Sequence, residues 1–225
     1  MAVGRARRIS LGVVLALVLL LGLAQLLLPR IAGSTISSRI GRYGHVQSVS
    51  VSAWPAIELL WGNADSVTVR AGELSLSPQQ AAKLVWEGRG VERIDMSAAE
   101  VRLGRLRVSA VSLRKRASAL SAQASVSAAD VSAALPAGMS LALLGSEAGS
   151  VEVKASGGLF GVSASLDAVA RPENGKLIAR PLGLPFSVLQ LSLFSDPHVY
   201  VEGVGASSSA GAEPGYRLQL SARLR

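Results

Sequence analysis

The feature that most limits what this chain can become is Ile9–Leu28, ISLGVVLALVLLLGLAQLLL, twenty residues without a charge. As a helix rising ~1.5 Å per residue it covers roughly 30 Å, the thickness of a bilayer's hydrocarbon core. It reads as one membrane crossing ahead of a chain that is soluble in character. A secretory signal carries a shorter apolar region, roughly 7 to 15 residues, followed by small residues at the cleavage site. Here the run ends in Leu26-Leu27-Leu28-Pro29-Arg30, which favours a retained anchor over a cleaved signal. Arg5, Arg7 and Arg8 precede it, and only the dispersed Arg30, Arg39 and Arg42 follow closely. The positive-inside rule then keeps the N-terminus cytoplasmic and sends residues 30–225 to the extracytoplasmic side. The Arg7-Arg8 pair fits an ordinary positive flank better than a twin-arginine export signal, because Ile9-Ser10-Leu11 matches that signal loosely.

The 225 residues thus divide into a signal-anchor or transmembrane helix, 1–29, a juxtamembrane linker or helix, 30–45, and an exported β-rich domain, 46–225. With no cysteine, the exported domain depends on its core alone, without disulfides or a thiolate metal site. Its length is ample for that. A formal net charge of +8 in a cytoplasmic protein would point to nucleic acid. Behind a membrane anchor the nearer anion is the phospholipid headgroup. Aromatic residues are 4% of the chain, too few for a base-stacking platform, so nucleic acid is not expected as a partner.

Residues 30–44 carry Ile31, Ile36 and Ile40 among small and basic residues, and Ile36 and Ile40 share a helical face. The segment either touches headgroups or packs on its own domain. From Val46 the period changes to two. Val49 and Val51, Val67 and Val69, and Leu74 and Leu76 alternate with Ser, Thr and Arg, the pattern of half-buried strands. Between the first two lies Trp54-Pro55-Ala56-Ile57-Glu58-Leu59-Leu60-Trp61-Gly62, bracketed by Pro55 and Gly62 as a short turn or helix. Its apolar members, Trp54, Ile57, Leu59, Leu60 and Trp61, are candidate lipid contacts. The competing reading makes them the plug at one end of a sheet core.

Ser77-Pro78-Gln79-Gln80 has the form of a capping box with proline at the first helical position. It predicts a helix of about ten residues, burying Ala81, Leu84 and Val85 and stopping at Gly88-Arg89-Gly90. Ser127-Ala128-Ala129-Asp130 opens a second helix ended by Pro136. Between them Val91–Gln123 is strand-like, slipping phase near Gly104 and Ala110, as bulges or strand breaks do. This stretch holds Arg102, Arg105, Arg107, Arg114, Lys115 and Arg116, with no acid from Val101 to Ser121. These six are candidate headgroup contacts, worth about 1 kcal/mol each near an anionic surface. Alternatively they form a solvated face that protects a sheet edge. After Pro136 strands are expected at Val151–Val153, Val162–Ala170, Lys176–Ala179, Val188–Leu193, Val199–Val204 and Tyr216–Leu224, with turns at Gly157-Gly158, Glu173-Asn174-Gly175 and Gly205–Gly215.

Signatures of catalysis are missing. His45 and His198 are the only histidines and form no metal-ligand spacing, so neither a metal site nor a cofactor is expected. No serine sits in G-x-S-x-G, and the glycine-rich stretches at 145–149 and 157–161 lack the lysine of a phosphate loop. Asp95, Glu100, Asp130, Asp167 and Asp196 are available for acid–base work, but no spacing pairs them. The expectation is a protein that is not an enzyme, with no catalytic residues.

Taken in order, the anchor, the Trp54–Gly62 cluster, Ser66-Val67-Thr68-Val69, the Ser127–Leu135 helix and Leu182-Gly183-Leu184-Pro185 resemble the LmeA-like family of actinobacterial cell-envelope proteins. The resemblance implies an exported, periplasmic phospholipid-binding protein without catalytic residues. It implies an α+β fold similar to tubular lipid-binding domains, a long twisted antiparallel sheet wrapping one or two helices and leaving an apolar groove. Where the family carries an aromatic after the proline, this chain has Ala56. The residues point the same way: strands rich in Ala, Ser and Val fill their interior poorly and leave room for acyl chains. The expected function is binding, or transfer, of phospholipid or another envelope lipid in support of envelope lipid or lipoglycan maintenance. The alternative is a structural or protein-interaction module, accessory to glycan or lipid enzymes, with an envelope protein as partner.

Overall fold

A computed structural model describes residues 24–25, 27–159, 162–183, 190–210 and 214–225. Most of the Ile9–Leu28 run lies outside them, and among the described residues no helix is long and apolar enough to cross a membrane. The chain is β-rich, with two sheets and few helices. It opens with α1 (27–41, the helix continuing at 24–25), then β1 (Gly44–Ser52), a 3₁₀ turn (Ala56–Trp61) and β2 (Ala64–Ser75). After α2 (Pro78–Glu87) come β3 (Val91–Leu103), β4 (Leu106–Arg116), β5 (Ala119–Ser127) and α3 (Ala128–Ala134). The remainder is strand: β6 (Met139–Glu147), β7 (Ser150–Leu159), β8 (Val162–Glu173), β9 (Lys176–Pro181), β10 (Leu191–Phe194), β11 (Val199–Ala210) and β12 (Pro214–Leu224).

Seven strands form one sheet in the order β1-β2-β3-β4-β5-β12-β11, and five form a second in the order β10-β9-β8-β7-β6. The expected antiparallel sheet is corrected at one pair, since β2 and β3 run parallel. Parallel neighbours need a crossover, and α2 supplies it by returning the chain to the end where β2 began. Its start is the capping box read from the sequence: Ser77 Oγ accepts from the Gln80 N–H, and the Gln80 side chain accepts from the Ser77 N–H. The buried face is rotated from the one expected. Ala82, Val85 and Trp86 meet Leu120, Val199, Ala222 and Leu224, while Ala81 and Leu84 are only half-buried. α3 begins as expected, with Ser127 Oγ accepting from the Asp130 N–H.

The main core lies on the inner face of the seven-stranded sheet, around Val67, Val69, Leu74, Val101, Val108 and Val126. Ile36 and Ile40 pack into it, so this part of the juxtamembrane segment joins the domain. Of the expected slips, Gly104 (φ 66°) is the β3–β4 hairpin turn and Ala110 (φ 50°) an irregularity inside β4. Other expectations fail. Gly157 and Gly158 lie within β7, paired to β8, and Gly205–Ala210 continues β11. β6, with its Leu141 and Leu143, was not foreseen as a strand. In each case pairing to a neighbouring strand overrides the local turn tendency of glycine and serine.

The two sheets meet along β11, the edge of the first. The Val201 N–H donates to the Gly175 carbonyl, Val204 N–H to the Gly149 carbonyl and Ala206 N–H to Ser146 Oγ. Hairpin turns of the second sheet thus satisfy an edge that would otherwise invite pairing with another chain. One such turn, Asn174-Gly175, lies so close to Tyr200 that a Cβ on Gly175 (φ 78°) would stand 2.2 Å from the ring. Two further contacts put one face of the second sheet on the inner side of the first. Phe194 packs against the cluster formed by Ala82, Leu120, Val199, Ala222 and Leu224, and Tyr216 Oη donates to the Leu141 carbonyl at 3.4 Å.

Candidate functional site

Strand register shows how the five-stranded sheet sorts its side chains. Leu143, Val153, Ala168 and Pro181 are paired across four strands, and Leu141, Ala155 and Leu166 across three. Directly paired residues point to the same face. That face is apolar from strand to strand and includes Leu177, Ala179, Leu191 and Phe194, the last paired to Leu177 across a register shift that leaves Leu193 unpaired. The opposite face carries Glu152, Lys154, Asp167, Arg171, Arg180 and Glu173 with their ion pairs.

The apolar face is the one turned to the inner side of the molecule, yet it is far from closed. Met139 is 42% exposed, Leu166 38% and Leu191 64%. Many of its positions are alanine, Ala155, Ala168, Ala170 and Ala179 among them, and such short side chains reach little toward a facing layer. Exposed apolar side chains gathered on one face of a sheet, rather than scattered singly, are the kind of surface that apolar ligands use.

The sequence candidates fall elsewhere, and in separate places. Trp54, Ile57, Leu60 and Trp61 form an exposed tip at the start of β2, with exposures of 74, 40, 66 and 70%. Ala56, 1% exposed, and Leu59, packed against the main core, hold the tip from below. The Trp54 N–H donates to Asp65 Oδ2 at 2.8 Å, and Gly62 closes the 3₁₀ turn with φ 77°. In sheet order β1 and β2 stand at the margin opposite β11, so the tip lies at the other side of the first sheet from the open apolar face.

The six cationic candidates divide between the two ends of β3 and β4. Arg102, Arg105 and Arg107 surround the β3–β4 turn; Arg114, Lys115 and Arg116 lie at the other end, near the tip. The run of β4 from Arg107 to Arg114 separates these groups by about 23 Å. Three acids answer them across strands. Arg102 pairs with Glu73 at 2.9 Å and Glu100 at 3.3 Å, Arg107 with Glu100 at 3.2 Å, and Arg116 grips Asp95 with two bonds of 2.9 and 3.0 Å. None of these acids lies inside the acid-free stretch, so a linear scan misses the neutralisation.

Lys115 is placed differently from its neighbours. It is 1% exposed, and its ammonium donates to the Arg89 carbonyl at 3.2 Å and to the Val91 carbonyl. Burial holds its pKa below the ordinary lysine value, with nearby Glu92 opposing the shift. It braces the loop after α2 and is not available to a headgroup.

The acids considered for chemistry have structural partners as well. Asp95 holds Arg116, Glu100 holds Arg102 and Arg107, Asp130 bonds Ser127, Asp167 faces Lys154, and Asp196 accepts from the His198 N–H. His198 stacks on Trp86 at 4.2 Å. Among the described residues no cluster of three His, Asp or Glu side chains is placed to hold a metal ion.

The residues of the open face were missed as a site for a reason the sequence does contain. Val151/Val153/Ala155 and Leu166/Ala168/Ala170 each alternate, but that alternation is identical for a covered face and an open one.

No curated protein and no solved structure matches the chain. The family model described as LmeA-like phospholipid-binding matches residues 20–208, which takes in the tip, the five-stranded sheet with its open apolar face, and the seven-stranded sheet apart from β12 and the end of β11. The chain belongs to the LmeA-like phospholipid-binding family.

Proposed function

We propose that this protein takes up phospholipid acyl chains on the apolar face of the five-stranded sheet, on the extracytoplasmic side of the membrane to which Ile9–Leu28 anchors it. It acts without bond chemistry, by binding and passing on lipid in support of envelope lipid or lipoglycan maintenance. Membership in a phospholipid-binding family supports a lipid ligand. The observation that carries the location is the set of half-open positions Met139, Leu166 and Leu191, all on one face. Acyl chains contribute affinity through apolar burial, at about 25 cal/mol per Å². An open face rich in alanine offers that area without first displacing bulky side chains.

The test is native mass spectrometry, with lipid extraction, of the full chain purified from bacterial membranes in mild detergent. Phospholipid retained near one-to-one is the expected result. A folded chain that carries no lipid and takes up none when phospholipid is added would overturn the proposal.

A further inference from the structure

We infer that Trp54, Ile57, Leu60 and Trp61 form a membrane-docking tip, which seats this end of the domain in the bilayer surface beside the point where the anchor leaves it. The inference rests on the anchor reading of Ile9–Leu28 and is independent of the acyl-binding face.

Three observations converge on a lipid surface as the occupant. First, the tip is tied directly to the C-terminal part of the apolar run. Gln25 Nε2 donates to the Ala53 carbonyl at 3.4 Å, and the Ala56 N–H donates to Gln25 Oε1 at 2.8 Å. A bilayer that accommodates the run therefore lies alongside the residues flanking Trp54. Second, the outward face of α1 changes polarity just beyond this contact. Leu27 and Ile31, one turn apart, are 51 and 59% exposed, whereas the exposed residues that follow are Ser34, Thr35, Ser38, Arg39 and Arg42. The switch lies about 9 Å along the helix from Gln25, which matches the roughly 5–10 Å to which interfacial segments sink. Arg30, exposed at that level, reaches headgroups by extending its side chain.

Third, the tip has the chemistry of the interface. Two tryptophans flank two aliphatic side chains, and their amphipathic rings favour the headgroup level. The tip is also built to stay exposed: Ala56 and Leu59 fix the turn on the core, so the four outward side chains have no inward alternative.

This placement orients the domain. The Arg102, Arg105 and Arg107 hairpin, about 40 Å away along β3, points from the membrane, several Debye lengths beyond the headgroups the tip touches.

The absence of cysteine makes the test direct. Leu60→Cys and Arg105→Cys, each labelled with an environment-sensitive nitrobenzoxadiazole, are made in the full chain. Each is reconstituted into vesicles of dioleoylphosphatidylcholine and dioleoylphosphatidylglycerol. The label at 60 is expected to emit to the blue, lose most of its emission when brominated lipid is included and resist aqueous iodide. The label at 105 is expected to do none of these. A label at 60 as open to iodide as that at 105 overturns the inference. So does shielding from iodide without lipid quenching, which indicates a protein covering the tip. Alkaline carbonate extraction of the same vesicles reads the anchor separately: a chain that is extracted has no spanning anchor and overturns the seating of the tip beside it, even where the label at 60 is lipid-quenched.

Discussion

Replacing Leu166 and Leu191 together with serine isolates the open apolar face from the fold that presents it. Both lie on that face, Leu166 in β8 and Leu191 in the edge strand β10, and they are 38 and 64% exposed. Their exposed shares together equal about one whole leucine side chain. Covering that surface with an acyl chain is worth about 1.5–3 kcal/mol, so the double variant should bind phospholipid roughly 10- to 150-fold more weakly. Because each residue already has much of its surface in water, the loss of stability should be small beside the 2–5 kcal/mol that truncating a buried leucine costs. Affinity is read by displacing a fluorescent phospholipid from the full chain in mild detergent, and stability by thermal unfolding. Lys154→Ser, on the polar face of the same sheet, is the matched control and should leave affinity unchanged. An affinity within twofold of wild type, in a double variant of unchanged stability, would refute the assignment of this face.

Other consequences follow from the same geometry. Lys115 is held below its ordinary pKa of 10.5 by burial, so between its folded value and 10.5 the unfolded chain binds more protons. Its contribution to stability therefore rises with pH across that window, and Lys115→Met should remove this slope, as denaturant titrations at several pH values will show. The same variant leaves the Arg89 and Val91 carbonyls without their donor and should cost about 1–3 kcal/mol at neutral pH. Ser77→Ala, which breaks the capping box of α2, should destabilise by about 1 kcal/mol without changing lipid affinity. Changing Arg102, Arg105 and Arg107 together to glutamine should leave binding to anionic vesicles nearly unchanged, because the tip at the membrane sets this hairpin about 40 Å from the headgroups, several Debye lengths away. A marked loss at low salt would instead place this hairpin at the membrane.

Much of the fold was legible because its signals are local. The box at Ser77–Gln80, the Ser127 cap and the alternation of Tyr216–Leu224 each depend on residues within one turn or one strand, and each stands where it was expected. The Trp54–Gly62 cluster was legible as a turn, but whether its side chains faced core or solvent was not. The structure divides it, with Ala56 and Leu59 inward and Trp54, Ile57, Leu60 and Trp61 outward. Gly157-Gly158 shows the limit from the other side: a local turn signal is overridden once Met139 and Ala164 pair with Gly157 on either side.

By itself the sequence determined the uncharged apolar run, the two capped helices, the strand periods and the resemblance to a phospholipid-binding family. Only the tertiary structure decided which charges meet across strands, as Glu73 meets Arg102, Glu100 meets Arg107 and Asp95 meets Arg116. It also decided which apolar face stays open. Alternation states that a strand has an apolar side, whereas exposure depends on whether another layer lies over it. For β6 to β10 that layer is set by the junction at β11, formed by bonds such as Val204 to Gly149 between residues far apart in the chain.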